Sequence, residues 1–255
     1  MLGILLAIPV SVALLVWILR MKRWNPFPKF TFVKLLIAGA VALTLSGIIT
    51  LIGGLVVLLA QIGPEQIAQM KDAESAVTII QEIGKAAKAV TPDAIIFGFI
   101  RTFVLVGLVE EVLKFLGAKI VMKKEGVAPT WMDAVLCFAI VGISFQLIED
   151  IQYSSGNIGV AIFRALTPFH FTFAVIMGYL YGLGKVRGNQ TYTLAAIFYP
   201  AFIHAMYDFS INLLKRSYVF IFFNLAMNAA MFILTVVMIL KLRKWHKEGT
   251  LDVYI

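Results

Sequence analysis

The chain has 255 residues, of which 61% are hydrophobic and 14% charged, with a formal net charge of +8. Its mean hydropathy of +0.92 excludes a water-soluble domain, whose apolar share stays near half. The basic excess does not point to nucleic acid, because the lysines and arginines stand at the ends of apolar runs rather than on one basic face.

The sequence reads as an all-α, polytopic transmembrane helix bundle of about seven spans, with one extracytoplasmic amphipathic helix. The whole chain, 1–255, reads as a single membrane domain. Residues 1–60 give two N-terminal spans, 61–94 the amphipathic segment, 95–215 a polar-bearing core, and 216–255 the last span with a basic tail. The first span, about Met1–Leu19, has no basic residues before it and reads as a retained span rather than a cleaved signal. Arg20, Lys22, Arg23, Lys29 and Lys34 come next, with Trp24 among them, as a basic loop. The second span is about Leu35–Ala60, long enough to tilt.

Between residues 61 and 94, Glu65, Asp72, Glu74, Glu82 and Asp93 outweigh Lys71, Lys85 and Lys88. Ala76, Ile79, Ile80, Ile83, Ala87 and Val90 recur there at helical spacing, which predicts a helix capping the bundle, lying at the lipid interface or gating a site. Five further spans run over about Thr102–Met122, Trp131–Glu149, Ala165–Gly184, Thr191–Leu213 and Tyr218–Leu240. With the N-terminus outside and the C-terminus cytoplasmic, Lys123-Lys124, Lys185, Arg187, and Lys241, Arg243, Lys244 and Lys247 all fall inside; Lys215-Arg216 is the dissenting pair. Cys137, the only cysteine, lies in an apolar run and permits no internal disulfide. Gly178-x-x-x-Gly182 reads as a packing face.

Four of the spans carry ionisable groups where hydrocarbon would be expected, and such groups turn toward protein or a wet cavity. Val109-Glu110-Glu111-Val112-Leu113-Lys114 is the densest stretch; Glu110 and Lys114 are four apart and share a helix face, while Glu111 points about 100° away. Phe145, Glu149 and Tyr153 are spaced by four on the next span. Beyond them lie Arg164 and His170, then His204-x-x-x-Asp208, in which an acid one turn along can orient an imidazole or share a ligand with it. Counting about 1.5 Å per residue puts Glu110, Glu149, His170 and His204 all in the extracytoplasmic half, which predicts one polar cavity opening outward. Arg164 taken alone reads as an interfacial, snorkelling cation, and for Glu149 and Asp150, near a span end, simple solvation is an equal alternative.

Taken in order, Glu110-Glu111-Val112-Leu113-Lys114, Phe145-x-x-x-Glu149 with Tyr153, Arg164-Ala165-Leu166 with His170, and His204-x-x-x-Asp208 resemble the motifs of the PrsW family. That family lies within the intramembrane proteases that include CAAX prenyl proteases and bacteriocin-processing enzymes. Glutamate rather than histidine at Glu149 favours the PrsW branch. The resemblance covers about residues 100–210 and implies peptide-bond hydrolysis, with a first cut near the extracytoplasmic side of a single-span membrane protein such as an anti-sigma factor. It makes Glu110 the general base and Glu149 its assistant. His170, His204 and Asp208 become metal ligands or oxyanion stabilisers, and Glu111, Lys114, Phe145, Tyr153 and Arg164 become supports.

A zinc ion would fall to Glu149, His170 and His204; two histidines and a carboxylate are a usual catalytic zinc set, and glutamate-driven hydrolysis without metal stays equally open. The chain has no His-Glu-x-x-His, Gly142-Ile143-Ser144-Phe145 lacks the last glycine of a rhomboid motif, and Gly182-Leu183-Gly184-Lys185 has Lys where an aspartyl protease needs Asp. A proton- or cation-coupled transporter would also bury acids and histidines, and a CAAX-type or bacteriocin-maturation protease is a further alternative.

Overall fold

A computed structural model of the chain describes residues 2–21, 28–86, 90–128, 130–154 and 158–255. Lys22, Arg23 and Trp24 of the basic loop, and Ala87 of the amphipathic stripe, lie outside the described residues. Every regular element among the described residues is a helix, apart from one isolated bridge between Thr130 and Tyr254. The elements are α1 (Leu2–Arg20), α2 (Lys29–Ala60), α3 (Pro64–Gln69), α4 (Ala73–Ala86), α5 (Pro92–Thr102), a π-helical turn (Phe103–Gly107) and α6 (Leu108–Glu125). They continue as α7 (Trp131–Ser154), α8 (Ile158–Leu166), α9 (Phe169–Arg187), α10 (Gln190–Arg216), a 3₁₀ turn (Tyr218–Phe220) and α11 (Ile221–Glu248).

Five stretches are long and apolar enough to cross a membrane: Phe30–Ala60, Trp131–Tyr153, Gly159–Arg187, Gln190–Arg216 and Tyr218–Glu248. The other two expected spans are helices as well. α1 is one, and the run α5–π turn–α6 is the other; its charges keep it from reading as a span by composition. That run begins ten residues before the expected Thr102. Pro92 stands in its first turn, where a missing N–H costs nothing, and the Thr91 hydroxyl accepts the Ala94 N–H at 3.3 Å.

The segment 61–94 holds two helices, α3 and α4, rather than one. Asp72 starts α4 by accepting the Ser75 N–H at 2.8 Å, and Ile79 and Ile83 are its buried stripe. The expected span from Ala165 is broken into α8 and α9 at Thr167-Pro168, where the proline has no N–H to continue the ladder.

α7 is the hub. Of its apolar window 89% is buried, against 22% for α2 and for α11, whose outer faces (Ile37, Leu51, Ile52, Phe222, Leu225) are left for lipid. α7 packs on α9, α2, α1 and α6, and α10 joins α9 to α6 and α11. A dry core of Phe115, Ala118, Leu136, Phe138 and Met177 fills one end of the bundle, with Cys137 fully buried in it. The chain's last residues close that end: Val253 and Leu251 carbonyls accept the N–H groups of Trp131 and Met132 at 2.8 and 2.9 Å, satisfying the first turn of α7. Gly178 lies against Val135 and Gly182 against the Trp131 ring, so this pair is a packing face on α9.

Two glycines set the spacing at the other end. A Cβ on Gly142 of α7 would stand 2.5 Å from the His170 carbonyl oxygen of α9, and one on Gly107 would stand 2.5 Å from the Ala201 carbonyl oxygen of α10. Both backbones approach only because a hydrogen stands there.

Candidate metal centre

The π turn immediately precedes the two acids of α6. Inserting one residue per turn rotates the downstream helix, and the turn is braced from outside: the Thr50 hydroxyl of α2 donates to the Leu105 carbonyl at 2.6 Å. Gly107 then lets α6 close on α10, and Glu110 and Glu111 face the bundle interior, 8% and 0% exposed. Lys114, 1% exposed, donates to Glu111 Oε1 at 2.7 Å and stands 3.7 Å from Glu110 Oε2. The sequence pairs Lys114 with Glu110 four residues back; in the structure its closer partner is Glu111, three back, since both spacings are neighbours on a helix.

His170 sits in the first turn of α9, just past Pro168. No side chain of α9 caps that turn; Gln146 of α7 does, its Oε1 accepting the His170 N–H at 3.1 Å and the Phe171 N–H at 3.4 Å. Lys114 Nζ lies 2.7 Å from His170 Nδ1. An ammonium has only donors, so Nδ1 accepts and the neutral ring carries its proton on Nε2, donated to Glu149 Oε2. Phe145 packs on the His170 ring at 4.7 Å and under the Lys114 ammonium at 4.1 Å.

Glu149 Oε2 also accepts from Arg164 Nη2 at 2.7 Å, and Arg164 Nε donates to Asp150 Oδ1 at 2.5 Å. Arg164 is thus a partly buried fork from α8 onto two adjacent acids of α7, not a snorkelling cation, and Asp150 is 1% exposed. The fold-back of α8 after α7 is what covers them.

His204, on α10, is buried between helices. Its Nδ1 lies 3.0 Å from Glu111 Oε1, and its Nε2 lies 3.4 Å from Asp208 Oδ2 and 3.9 Å from Glu110 Oε2. The two imidazoles meet edge to face at 5.1 Å, and Phe173 stacks on His204 at 5.4 Å. Asp208, with 28% of its side chain exposed, is where the cluster reaches the surface.

Glu110, Glu111, His170, His204, Asp208, Glu149, Lys114, Phe145 and Arg164 therefore form one connected group drawn from α6, α7, α8, α9 and α10. They pack directly on one another. Tyr153 alone stands apart, 59% exposed at the edge, its ring 5.1 Å from Arg164. Gln146 and Asp150 belong to the group too. Gln146 also donates to Asp150 Oδ2 at 3.2 Å, one turn along the same helix.

Glu110, Glu111, His170 and His204 each offer a ligand atom, and these atoms all lie within 4.8 Å of one another. Glu110 Oε2 and Glu111 Oε2 are buried without a hydrogen-bond partner among the described residues. Orphaned carboxylate oxygens are costly, and two of them facing two imidazoles fit a divalent cation of zinc's preferences. Glu149 lies outside that group of four, behind His170. The arrangement offers what amide hydrolysis needs: carboxylates to move protons, and donors to hold a Lewis acid.

A multi-pass helical membrane protein with a buried carboxylate–histidine centre is the class that fold and site define. Residues 28–240 match the PrsW family intramembrane metalloproteases, and the chain belongs to that family. Over 119 residues it is 32% identical to Protease PrsW of Clostridioides difficile (strain 630), a stretch that makes up 42% of this chain and 50% of that protein. The chain thus spans about half the length of this relative. No solved structure matches.

Proposed function

We propose that the protein is an intramembrane peptidase that hydrolyses a peptide bond of a single-span membrane protein, such as an anti-sigma-factor-like regulator, near the extracytoplasmic side. The observation that carries this reading is the convergence of Glu110, Glu111, His170 and His204 from three helices into one buried cluster. Family membership supports it.

His170, His204 and Glu111 would hold a metal, zinc by donor type, leaving Glu110 as the general base. Bound there, the metal would act as a Lewis acid on the scissile carbonyl and lower the pKa of a water. Glu110 Oε2, with no hydrogen-bond partner among the described residues, receives the water's proton and returns it to the departing amine. Glu149, held by Arg164, fixes the His170 tautomer so that Nδ1 faces the cluster; a carboxylate behind a ligating histidine is the common arrangement. Asp208 orients His204 through Nε2. The closed packing excludes bulk water and strengthens these contacts. Placing the N-terminus outside and the C-terminus in the cytoplasm, as the basic residues favour, turns this end of the bundle outward.

Co-expression with a panel of single-span proteins, then N-terminal sequencing of fragments, tests the reading. Wild type is expected to release a fragment that Glu110→Gln does not. Coupled ion flux in proteoliposomes, with no cleavage of any panel member, would instead support a transporter.

A further inference from the structure

We propose that Lys114 is a resident cation that competes with the metal for its own ligands, so that this side chain sets the metal affinity of the site. The inference rests on the metal-bearing reading of the proposed function. Lys114 Nζ lies 2.7 Å from Glu111 Oε1, 2.7 Å from His170 Nδ1 and 3.7 Å from Glu110 Oε2. Those are three of the four residues whose ligand atoms cluster.

A lone pair serves one cation at a time. His170 has a single acceptor nitrogen, because Glu149 holds the Nε2 proton, and that acceptor is the one facing Lys114. A divalent ion ligated by His170 Nδ1 therefore requires the ammonium to withdraw from that nitrogen, while Glu111 can offer the ion its unpartnered Oε2. Lys114 is 1% exposed and lies over the Phe145 ring at 4.1 Å, so it cannot turn to water from where it stands. Keeping an ammonium and a divalent ion side by side in a buried site is strongly repulsive.

The same contact has a second consequence. Glu111 is fully buried, and with Glu110 it places two carboxylates within one cluster. Lys114 neutralises part of that charge, so the helices can assemble before any metal arrives. Removing the lysine should make the fold depend on the metal.

The test is zinc binding to purified, detergent-solubilised full-length protein, by competition with a chromophoric chelator, alongside thermal unfolding with and without zinc. Lys114→Met removes the ammonium and keeps an unbranched stem; Lys114→Arg keeps the charge. Having no ammonium to displace from His170 Nδ1 predicts zinc binding about ten- to a hundredfold tighter in Lys114→Met. Its melting temperature should be lower than wild type without zinc and rise more on addition of zinc. Lys114→Arg should bind no tighter than wild type.

His170→Ala in the Lys114→Met background should abolish the gain, tying it to this site. If Lys114→Met accumulates only when expressed with zinc, that too is the predicted metal dependence. Wild type and Lys114→Met binding zinc equally well would overturn the competition while leaving the metal site standing. No zinc binding by either would overturn both.

Discussion

At the residue scale, the two glutamates of α6 divide by their partners. Glu111 Oε1 accepts from Lys114 and contacts His204, while Glu110 makes only long contacts to both. Glu110→Gln removes a basic oxygen without breaking a short bond. It should leave expression and melting temperature near wild type while lowering cleavage by about 10²–10⁴-fold, the usual loss for a general base. Glu111→Gln should be the more destabilising of the two, because it leaves a buried ammonium with its nearest charge partner gone. Breaking such a pair costs about 3–5 kcal/mol. Denaturation of the two variants side by side checks the ranking, and equal stability would contradict it. Arg164→Ala belongs to the same class, since it strands Glu149 and Asp150 together. Arg164→Lys can keep one of these contacts but not the fork, so it should recover only part of the loss. Tyr153→Phe, at an exposed edge, should change stability by less than about 0.5 kcal/mol.

At the element scale, the site exists because backbones touch. Gly142 and Gly107 sit where α7 meets α9 and where the π turn meets α10. Adding one methyl at either should cost about 1–3 kcal/mol by overpacking. It should also reduce cleavage, because α9 carries His170 and α10 carries His204. Stability measured with cleavage separates the two: a stable Gly107→Ala with full activity would show that the close approach is not needed.

The helices themselves were legible. Apolar runs and flanking cations give every long element, and four-residue spacing gives the His204–Asp208 pair. What was not legible is what depends on a bend. The break at Thr167-Pro168 and the return of α8 bring the Arg164 guanidinium, which reads from the sequence as interfacial, onto Glu149 and the buried Asp150, for both of which the sequence left solvation open. The π turn is likewise silent in the sequence, since Phe103–Gly107 is an ordinary apolar stretch. Gln146 escapes for a similar reason: its partners are the backbone N–H groups of another helix, which no spacing rule reports.

At the scale of the whole molecule, α7 is surrounded while α2 and α11 present apolar faces outward, the arrangement of a bundle that buries its polar groups centrally and shows lipid its alkyl surface. The basic residues give that bundle a direction. Reporter fusions after Lys124 and after Lys247 should both read cytoplasmic, and an extracytoplasmic signal at either would reverse the proposed side of cleavage.

If Glu110, Glu111, His170 and His204 make one metal-dependent hydrolytic centre inside the membrane, cleavage must depend on both the metal and the base. The decisive assay is cleavage of a co-reconstituted single-span substrate in proteoliposomes, with wild type and Glu110→Gln each assayed before chelation, after chelation and after zinc is restored. Wild-type cleavage should disappear with the chelator and return with zinc, while Glu110→Gln stays inactive in all three states. Cleavage by Glu110→Gln at the wild-type rate, at the same bond, would contradict a hydrolytic centre built on that carboxylate.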